Sequence, residues 1–415
     1  MAGLMRSIWV SLTRRRRFGR GSRAGRSSRS GVALLIVIAG ILLMTVLVSE
    51  IAYGSQVRLK SAAHQRDEAQ AYWLAQSGVK IYQLILVANK QLANSGMADY
   101  GAAFGVNMGD ALWQAVPFLS TGILRMVFGG ADIEDMEQDE LAAAAMGQVD
   151  DEVAEDSREE TSVFSDRNWL DFDGDLVAEI VDEESRIGLN AFSTRSQTAV
   201  LQEEATAMQL YGLMSGTDND QWFHDRNVDR WELIGNVADW VDVDTMRSGP
   251  RSGYEDDLYN RMEPPYLSKN ATFESLEEVQ LVDGWADEVY DRFGDSLTVW
   301  ANGKININTA DRAVMFGLLK AYLTPTPSDD FVNQLLEMLD EYKLLTSFQN
   351  SSSFVSYLEN QGASVSEDME KAITTSSSVF RITSSGVVDD AVVTITAILD
   401  FTSADTGKIA YWRMD

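Results

Sequence analysis

The pattern of apolar and polar positions changes abruptly at residue 31. From Gly31 to Ser49 the sequence is apolar and uncharged, which is long enough to cross a bilayer core as a helix. Residues 56–88 then mix charged and apolar positions at helical spacing, and the first proline is Pro117. The pattern predicts one helix from Val32 to about Ala88, with its first part in a membrane and its second part packed on a globular head.

The remaining pattern predicts strands that flank helical insertions, and therefore an α+β fold. The pattern of residues 169–194 predicts two strands joined by a turn, and Asp173-Gly174 is a typical hairpin turn sequence. Acids and alanines dominate the segment before them, which favours a disordered or helical insertion. The predicted segments are a leader (1–31), the membrane part (32–52) and the outer part (53–93) of the helix, an acidic irregular insertion (94–168), strands (169–194), a helical domain (195–295), a strand (296–309), a second helical unit (310–372) and C-terminal strands (373–415).

Charge is distributed very unevenly along the chain. The residues after the leader carry 25 basic and 63 acidic side chains, a net charge of −38, so the sequence excludes nucleic-acid binding and favours divalent cations as partners. The leader has no acidic residue, and its arginines predict a cytoplasmic N-terminus. These arginines are Arg6, Arg14, Arg15, Arg16, Arg17, Arg20, Arg23, Arg26 and Arg29.

The junction between leader and apolar stretch predicts a processing site. Gly31 is a small residue, preceded by basic residues and followed directly by the apolar helix, which is the arrangement of a prepilin. A secretory signal peptide fits less well, because the apolar run exceeds the usual length and Glu50 to Gly54 make a poor cut site. We therefore expect cleavage between Gly31 and Val32.

Two stretches carry a family resemblance. Gly31-Val-Ala-Leu-Leu-Ile-Val-Ile, followed by Gln70-Ala-Tyr-Trp-Leu-Ala-Gln-Ser-Gly78, resembles the start of the minor pseudopilin K of type II secretion systems. Most pilins and pseudopilins carry Glu as the fifth residue after the cut, and its absence is the hallmark of the K subunit; here that residue is Ile36. Asp182 to Asn190 also resembles the family. The resemblance implies a long pilin-like helix on a small antiparallel sheet, with large helical, SAM-like insertions.

The resemblance also implies a role and partners. A K subunit lies at the tip of the periplasmic pseudopilus, assembled with the minor pseudopilins I and J and, through them, with the major pseudopilin. It implies cleavage by prepilin peptidase, a single span in the bacterial inner membrane and a periplasmic C-terminal domain. A minor type IV pilin is the first alternative, because pilins share the Gln70 to Gly78 pattern.

The densest acidic motif near ordered sequence predicts a metal site. Asp239 and Asp242 are neighbours on a helical turn, Asp244 follows, and a glycine-containing loop can bring Glu255 and Asp256 back to them. Converging carboxylates repel each other unless a cation lies between them. Oxygen ligands on a flexible loop favour calcium, and the resemblance supports this because the helical domain of the K family holds calcium. The alternative is that these acids cap helix ends and face water.

The sequence offers little for catalysis. It has two histidines, no cysteine and no Gly-x-Ser-x-Gly, phosphate-loop or His-Glu-x-x-His motif. We therefore assign no catalytic or organic-cofactor residues and expect that the protein is not an enzyme. A membrane-anchored periplasmic enzyme is kept as an alternative from a different functional class.

Overall fold

The computed structural model describes residues 29–94, 111–129, 172–195 and 200–415. The chain divides into two compact units, residues 1–63 and 64–415. Most of the predicted leader and most of the predicted acidic insertion lie outside the described residues.

The first unit contains the start of helix α1, which begins at Arg29 and ends at Asn94 in the second unit. Side chains from Val32 to Tyr53 are all exposed, although most of them are apolar. Within the described ranges, this is the helix long and apolar enough to cross a membrane. An apolar surface of this length fits a membrane anchor, because lipid takes the place of a protein core around it.

The second unit combines helices with short and long strands. Within its described residues, the remaining α-helices are α2 (Ala111–Ala115), α3 (Thr121–Gly129), α4 (Ala205–Leu213), α5 (Thr217–Arg226), α6 (Arg230–Val241), α7 (Asp256–Tyr259), α8 (Glu288–Phe293), α9 (Arg312–Tyr322), α10 (Asp329–Leu345), α11 (Ser351–Asn360) and α12 (Met369–Ala372). Its strands are β1 (Phe118–Ser120), β2 (Asp175–Asp182), β3 (Ile187–Gly188), β4 (Leu297–Thr298), β5 (Ile305–Asn306), β6 (Ile373–Thr374), β7 (Val379–Val388), β8 (Ala391–Asp400) and β9 (Lys408–Met414).

Five strands form one antiparallel sheet in the order β1-β2-β7-β8-β9. Strand β2 pairs with β7 along its whole length, from Asp175 opposite Val387 to Asp182 opposite Phe380. Of the eleven helices that the structure describes after α1, nine lie in the chain between these two neighbouring strands. The helical part is therefore an insertion into the sheet unit, as the sequence predicted.

Helix α1 lies directly against this sheet within the second unit. Ala75, Val79, Tyr82 and Leu86 recur at helical spacing and are buried with the apolar side chains of the strands. Gly78 permits the close approach, because a Cβ atom there would lie 2.8 Å from Leu176 Cδ1. Of the apolar positions that the sequence pattern predicted for this helix, Val79, Tyr82 and Leu86 are buried against the sheet, whereas Ala62, Ala69 and Trp73 are exposed.

The inserted helices share one continuous core with the short strands. It includes Leu210 of α4, Ile234 of α6 and Leu318 of α9, together with Trp285 from the loop before α8; all four are almost fully buried. Helices α4 and α9 pack closely, because a Cβ atom on Gly317 would lie 2.6 Å from the backbone nitrogen of Leu213. The two predicted helical segments, 195–295 and 310–372, therefore form a single packed body.

The predicted fold class, α+β with a long N-terminal helix and an antiparallel sheet, is confirmed. Three details differ from the sequence predictions. Residues 118–120 form strand β1 within the segment expected to be irregular, because three residues suffice to extend the edge beside β2. Asp173-Gly174 directly precedes β2, which pairs along its whole length with the distant β7, and the start of the predicted hairpin, residues 169–171, lies outside the described residues. The single strand expected at 296–309 is two short strands, β4 and β5, which pair in parallel with β3 and β6.

Candidate metal centre

The predicted acidic residues lie at and after the C-terminal end of α6. Asp229 caps the N-terminus of this helix, and its side chain accepts a hydrogen bond from the Trp231 backbone nitrogen at 2.9 Å. The helix ends at Val241, and Asp242 takes the extended conformation of the C-cap. A helix C-terminus carries partial negative charge, so carboxylates there are disfavoured unless positive charge compensates them.

The loop after α6 folds back on itself as a small hairpin. Met246 pairs with Tyr254 in an antiparallel bridge. The Glu255 backbone nitrogen donates to the Thr245 carbonyl at 3.3 Å. Gly253 has a φ of +148°, a conformation that an L-residue rarely adopts. This hairpin returns Glu255 to the end of α6, as the glycines in the sequence suggested.

Three of the five predicted ligands converge. Asp242, Asp244 and Glu255 each place one carboxylate oxygen within 4.8 Å of the others. Asp239 is buried beside them with 2% of its surface exposed, and its Oδ1 accepts a hydrogen bond from the Ser248 backbone nitrogen at 2.8 Å. Asp256 lies outside the group, and its Oδ1 accepts a hydrogen bond from the Ser268 backbone nitrogen at 3.1 Å. We call Asp239, Asp242, Asp244 and Glu255 the acidic site.

Several buried oxygens of the acidic site make no hydrogen bond of ordinary geometry among the described residues. These atoms are Asp239 Oδ2, Asp242 Oδ1 and both carboxylate oxygens of Glu255. The Ser268 hydroxyl near Glu255 and the Asp244 backbone nitrogen near Asp242 lower the pKa of these carboxyl groups only in part. Glu255 is only 2% exposed and Asp242 5% exposed, so water satisfies these groups poorly. A buried carboxylate without a partner is costly, and a cation at this position would remove that cost.

Without an ion, burial shifts Asp239, Asp242 and Glu255 toward their neutral forms by raising the pKa of each. Burial raises the pKa of Asp239 and of Asp242 to about 6. Burial, followed by the charges of Asp239, Asp242 and Asp244, raises the pKa of Glu255 to about 8. A divalent cation favours the ionised forms of the same groups, so cation and protons compete here.

The sequence reasoning missed the residues that brace the acidic site. Arg195 forms an ion pair with Asp242, with 3.3 Å between Nη1 and Oδ2, and it also donates to the Ser248 hydroxyl. The Asn270 side-chain amide donates to the Asp244 carbonyl, and the Ser268 hydroxyl donates to the Asp239 carbonyl at 3.2 Å. These residues come from distant parts of the chain, and no local spacing in the sequence marks them.

The residues present fit a hard cation. All candidate ligands are carboxylate oxygens, and four of these oxygens are buried without a partner in the described part of the chain. Calcium accepts six to eight oxygens in flexible geometry, whereas magnesium demands a near-ideal octahedron and usually retains several waters. A site built from a helix end and a hairpin loop suits calcium better.

Comparisons with known proteins place this region in a family context. Residues 185–302, which include the whole acidic site, match the family model described as type II secretion system (T2SS), protein K. Type II secretion system protein K of Klebsiella pneumoniae is 27% identical over 43% of this chain, and that of Aeromonas hydrophila is 26% identical over 38%. The matches span about half the length of these relatives, 55% and 48%. They confirm the resemblance to protein K that the sequence motifs predicted.

A solved structure also shares similarity with the chain. It is a chain of the GspK–GspI–GspJ complex of the type 2 secretion system from enterotoxigenic Escherichia coli. The similarity covers 59% of this chain and 80% of that chain, with 16% sequence identity and a TM-score of 0.44.

Proposed function

We propose, from the match of residues 185–302 to protein K of the type II secretion system, that this chain is a minor pseudopilin. In this role it lies at the tip of the periplasmic pseudopilus and starts or caps the filament with the minor pseudopilins I and J. Through them it contacts the major pseudopilin. The role is assembly for protein secretion and transport rather than catalysis or nucleic-acid binding.

The position of the matched region in the fold supports a capping role. It begins within the turn that follows β2 and ends before β7, although β2 and β7 are neighbours in the sheet. The sheet therefore carries a helical body, residues 183–378, between two of its neighbouring strands. A subunit stacked on this head would have to avoid that body, so a bulky insertion favours the end of a filament over its repeating part.

The N-terminal helix supports a single-span membrane anchor. Val32 to Tyr53 presents exposed, mostly apolar side chains, and Ile36 is 67% exposed where other pilins carry Glu. We propose that the N-terminus is cytoplasmic, that the C-terminal domain is periplasmic and that prepilin peptidase cuts between Gly31 and Val32, in the first turn of α1. N-terminal sequencing of the membrane-extracted protein should begin Val-Ala-Leu-Leu. A start at Met1 or after Ser49 would exclude this processing.

We further propose that the acidic site binds one structural calcium ion. Asp242, Asp244 and Glu255 supply the converging oxygens, Asp239 adds charge from the helix, and Asp256 remains a candidate through its second oxygen. The ion joins the C-terminus of α6 to the end of the 245–255 hairpin. The four unpartnered buried oxygens are the observation that carries this part of the proposal.

Native mass spectrometry of the co-expressed periplasmic heads tests the assembly role. We expect a complex with the partner pseudopilins I and J at one copy each, and no long homopolymer of this chain. Long homopolymers, or no association with these partners, would refute the tip assignment. That result would favour the minor type IV pilin or a free-standing anchored protein.

A further inference from the structure

Arg195 is a buried cation inside the candidate metal centre. Its side chain is 6% exposed and that of its partner Asp242 is 7% exposed, so this ion pair is shielded from water. Arg195 reaches this position from the segment after β3, far in sequence from α6. An arginine this deep in the fold is rarely tolerated without a paired charge.

The contacts of Arg195 connect the helix end to the hairpin loop. Its Nη1 lies 3.3 Å from Asp242 Oδ2 and donates to the Ser248 hydroxyl. The Ser248 backbone nitrogen donates in turn to Asp239 Oδ1 at 2.8 Å. One guanidinium group therefore holds together the two elements that the proposed calcium ion also joins.

The positive charge and the unsatisfied oxygens lie on different sides of the same carboxylates. Arg195 forms its ion pair with Asp242 Oδ2, while Asp242 Oδ1 makes no hydrogen bond within the described residues. The same division holds for Asp239, whose Oδ1 is bonded and whose Oδ2 is not. The arrangement leaves one set of oxygens for a cation without displacing the arginine.

We propose that Arg195 is the built-in counter-charge of the acidic site: it keeps the hairpin on α6 without an ion and weakens calcium binding by repulsion. This inference rests on the proposed calcium site. It follows from Coulomb's law, because a guanidinium group and a divalent ion attached to the same carboxylate repel each other across a medium of low dielectric constant. Arg195 is thus a positioning residue that tunes the affinity of the site.

The test compares Arg195→Gln, Arg195→Lys and the control Arg251→Gln in the detergent-purified full chain. Arg251 is 71% exposed and pairs with Glu232, outside the acidic site. Thermal melts in EDTA and in saturating CaCl2, and calcium titration by calorimetry, are the measurements. Arg195→Gln should melt lower than wild type in EDTA and return close to wild type in CaCl2.

The calcium affinity of Arg195→Gln should rise about tenfold, which corresponds to about 1.4 kcal/mol. Arg195→Lys keeps the charge and should stay within about threefold of wild type. Arg251→Gln should change neither readout. An equal loss of Tm in EDTA and CaCl2, failure of calcium to restore folding, or unchanged or weaker affinity of Arg195→Gln would overturn the role of Arg195. If the wild type binds no calcium, the metal site itself is wrong and this inference falls with it.

Discussion

Two clusters of buried carboxylates in the second unit are satisfied in opposite ways. The first, which we call the junction cluster, comprises the consecutive residues Asp182, Glu183 and Glu184 at the end of β2. The second is the acidic site at the end of α6. Most residues of both clusters expose only a few per cent of their surface. The hydrogen-bond partners of the two clusters nevertheless differ.

The junction cluster is satisfied by hydrogen-bond donors and one cation of its own chain; only Glu183 Oε1 has no hydrogen bond among the described residues, and it faces Arg381. Asp182 accepts hydrogen bonds from Asn306 Nδ2 at 3.1 Å, from the Glu184 backbone nitrogen at 2.8 Å and from two hydroxyl groups. Glu183 forms an ion pair with Arg381 at 2.6 Å. Thr298 donates a hydrogen bond to Glu183, and Asn302 and Ser378 each donate one to Glu184. The two hydroxyl groups that donate to Asp182 belong to Thr309 and Ser377.

The acidic site has more charge and fewer donors. Arg195 is its one ion-pair partner among the described residues, and four buried oxygens have no donor there. Burial of carboxylates therefore does not by itself mark a binding site. A cluster with enough internal donors joins parts of the fold, whereas one with too few needs positive charge from outside.

The largest expected effect is on the junction cluster. Asp182→Ala should lower the free energy of unfolding by about 3 kcal/mol, because it leaves several buried donors without an acceptor. The loss should be the same in EDTA and in CaCl2, as measured by chemical denaturation. Glu179→Ala, on an exposed position of the same strand, is the control and should cost under about 0.5 kcal/mol. A calcium-dependent loss in Asp182→Ala would contradict the division between the two clusters.

The acidic site should respond in the opposite direction. Without an ion, folding at neutral pH forces Glu255 to take up a proton, because its pKa rises to about 8. Glu255→Gln removes this cost, so it should raise Tm in EDTA, and it should abolish most of the rise that calcium gives wild type. Asp242→Ala should also abolish most of that rise. Asp257→Asn, an exposed acid on α7, is the matched control and should keep the full calcium response. A full calcium response in Glu255→Gln would show that the ion binds elsewhere.

The effect of calcium should depend on pH. Folding raises the pKa of Asp239 and Asp242 from 3.8 to about 6, and that of Glu255 from 4.5 to about 8. The folded protein therefore binds protons more tightly, and the ion-free form loses stability as pH rises between these unfolded and folded values. Calcium replaces those protons, so its increment in Tm should grow from about pH 5 to about pH 8. Thermal melts with and without calcium across this pH range measure the increment. A larger increment in Tm at pH 5 than at pH 8 would contradict the competition between calcium and protons.

The smallest effect concerns a third carboxylate, which is closed by donors near the surface. Asp329 Oδ2 accepts from the backbone nitrogen and hydroxyl of Thr217, both at 2.7 Å, and its Oδ1 pairs with Lys320 at 2.9 Å. The two hydrogen bonds from Thr217 lower the pKa of Asp329 to about 2. The stability that the ionised Asp329 contributes is therefore present above pH 4 and lost as the pH falls toward 2.

Asp329→Asn should cost about 1 kcal/mol in the free energy of unfolding near neutral pH and little near pH 2. The exposed neighbour Asp330 provides the control variant Asp330→Asn, for which we expect no measurable change. Urea denaturation at both pH values distinguishes the two. Equal losses in both variants would mean that the bridge from α5 to α10 contributes nothing.

Local patterns in the sequence predicted the parts of the fold that depend on local periodicity. The helical spacing of Val79, Tyr82 and Leu86 predicted part of the buried face of α1, and the apolar run after Gly31 predicted the anchor. Three other apolar positions of the same predicted pattern, Ala62, Ala69 and Trp73, are exposed. The pairing of β2 with β7 was not predictable, because the partners are about 200 residues apart and no spacing links them. For the same reason, Asp173-Gly174 was interpreted as a hairpin turn although β2, which follows it, pairs with β7.

The acidic site was predictable in composition but not in detail. The three-residue spacing of Asp239 and Asp242 and the glycines of the loop pointed to a convergence with Glu255. They could not show that Asp256 bonds Ser268 instead, because that depends on how the 260–270 segment returns. Nor could they distinguish this site from the junction cluster, since donors supplied by distant residues decide which carboxylates are satisfied.

Whether a cation completes the acidic site can be measured by calorimetric titration of calcium into the detergent-purified full chain, with wild type, Glu255→Gln and Asp257→Asn compared side by side. We expect saturable binding to wild type and to Asp257→Asn, with release of protons near neutral pH, and loss of binding in Glu255→Gln. Absence of binding to wild type, or equal binding to Glu255→Gln, would contradict the claim that the acidic site is completed by a cation.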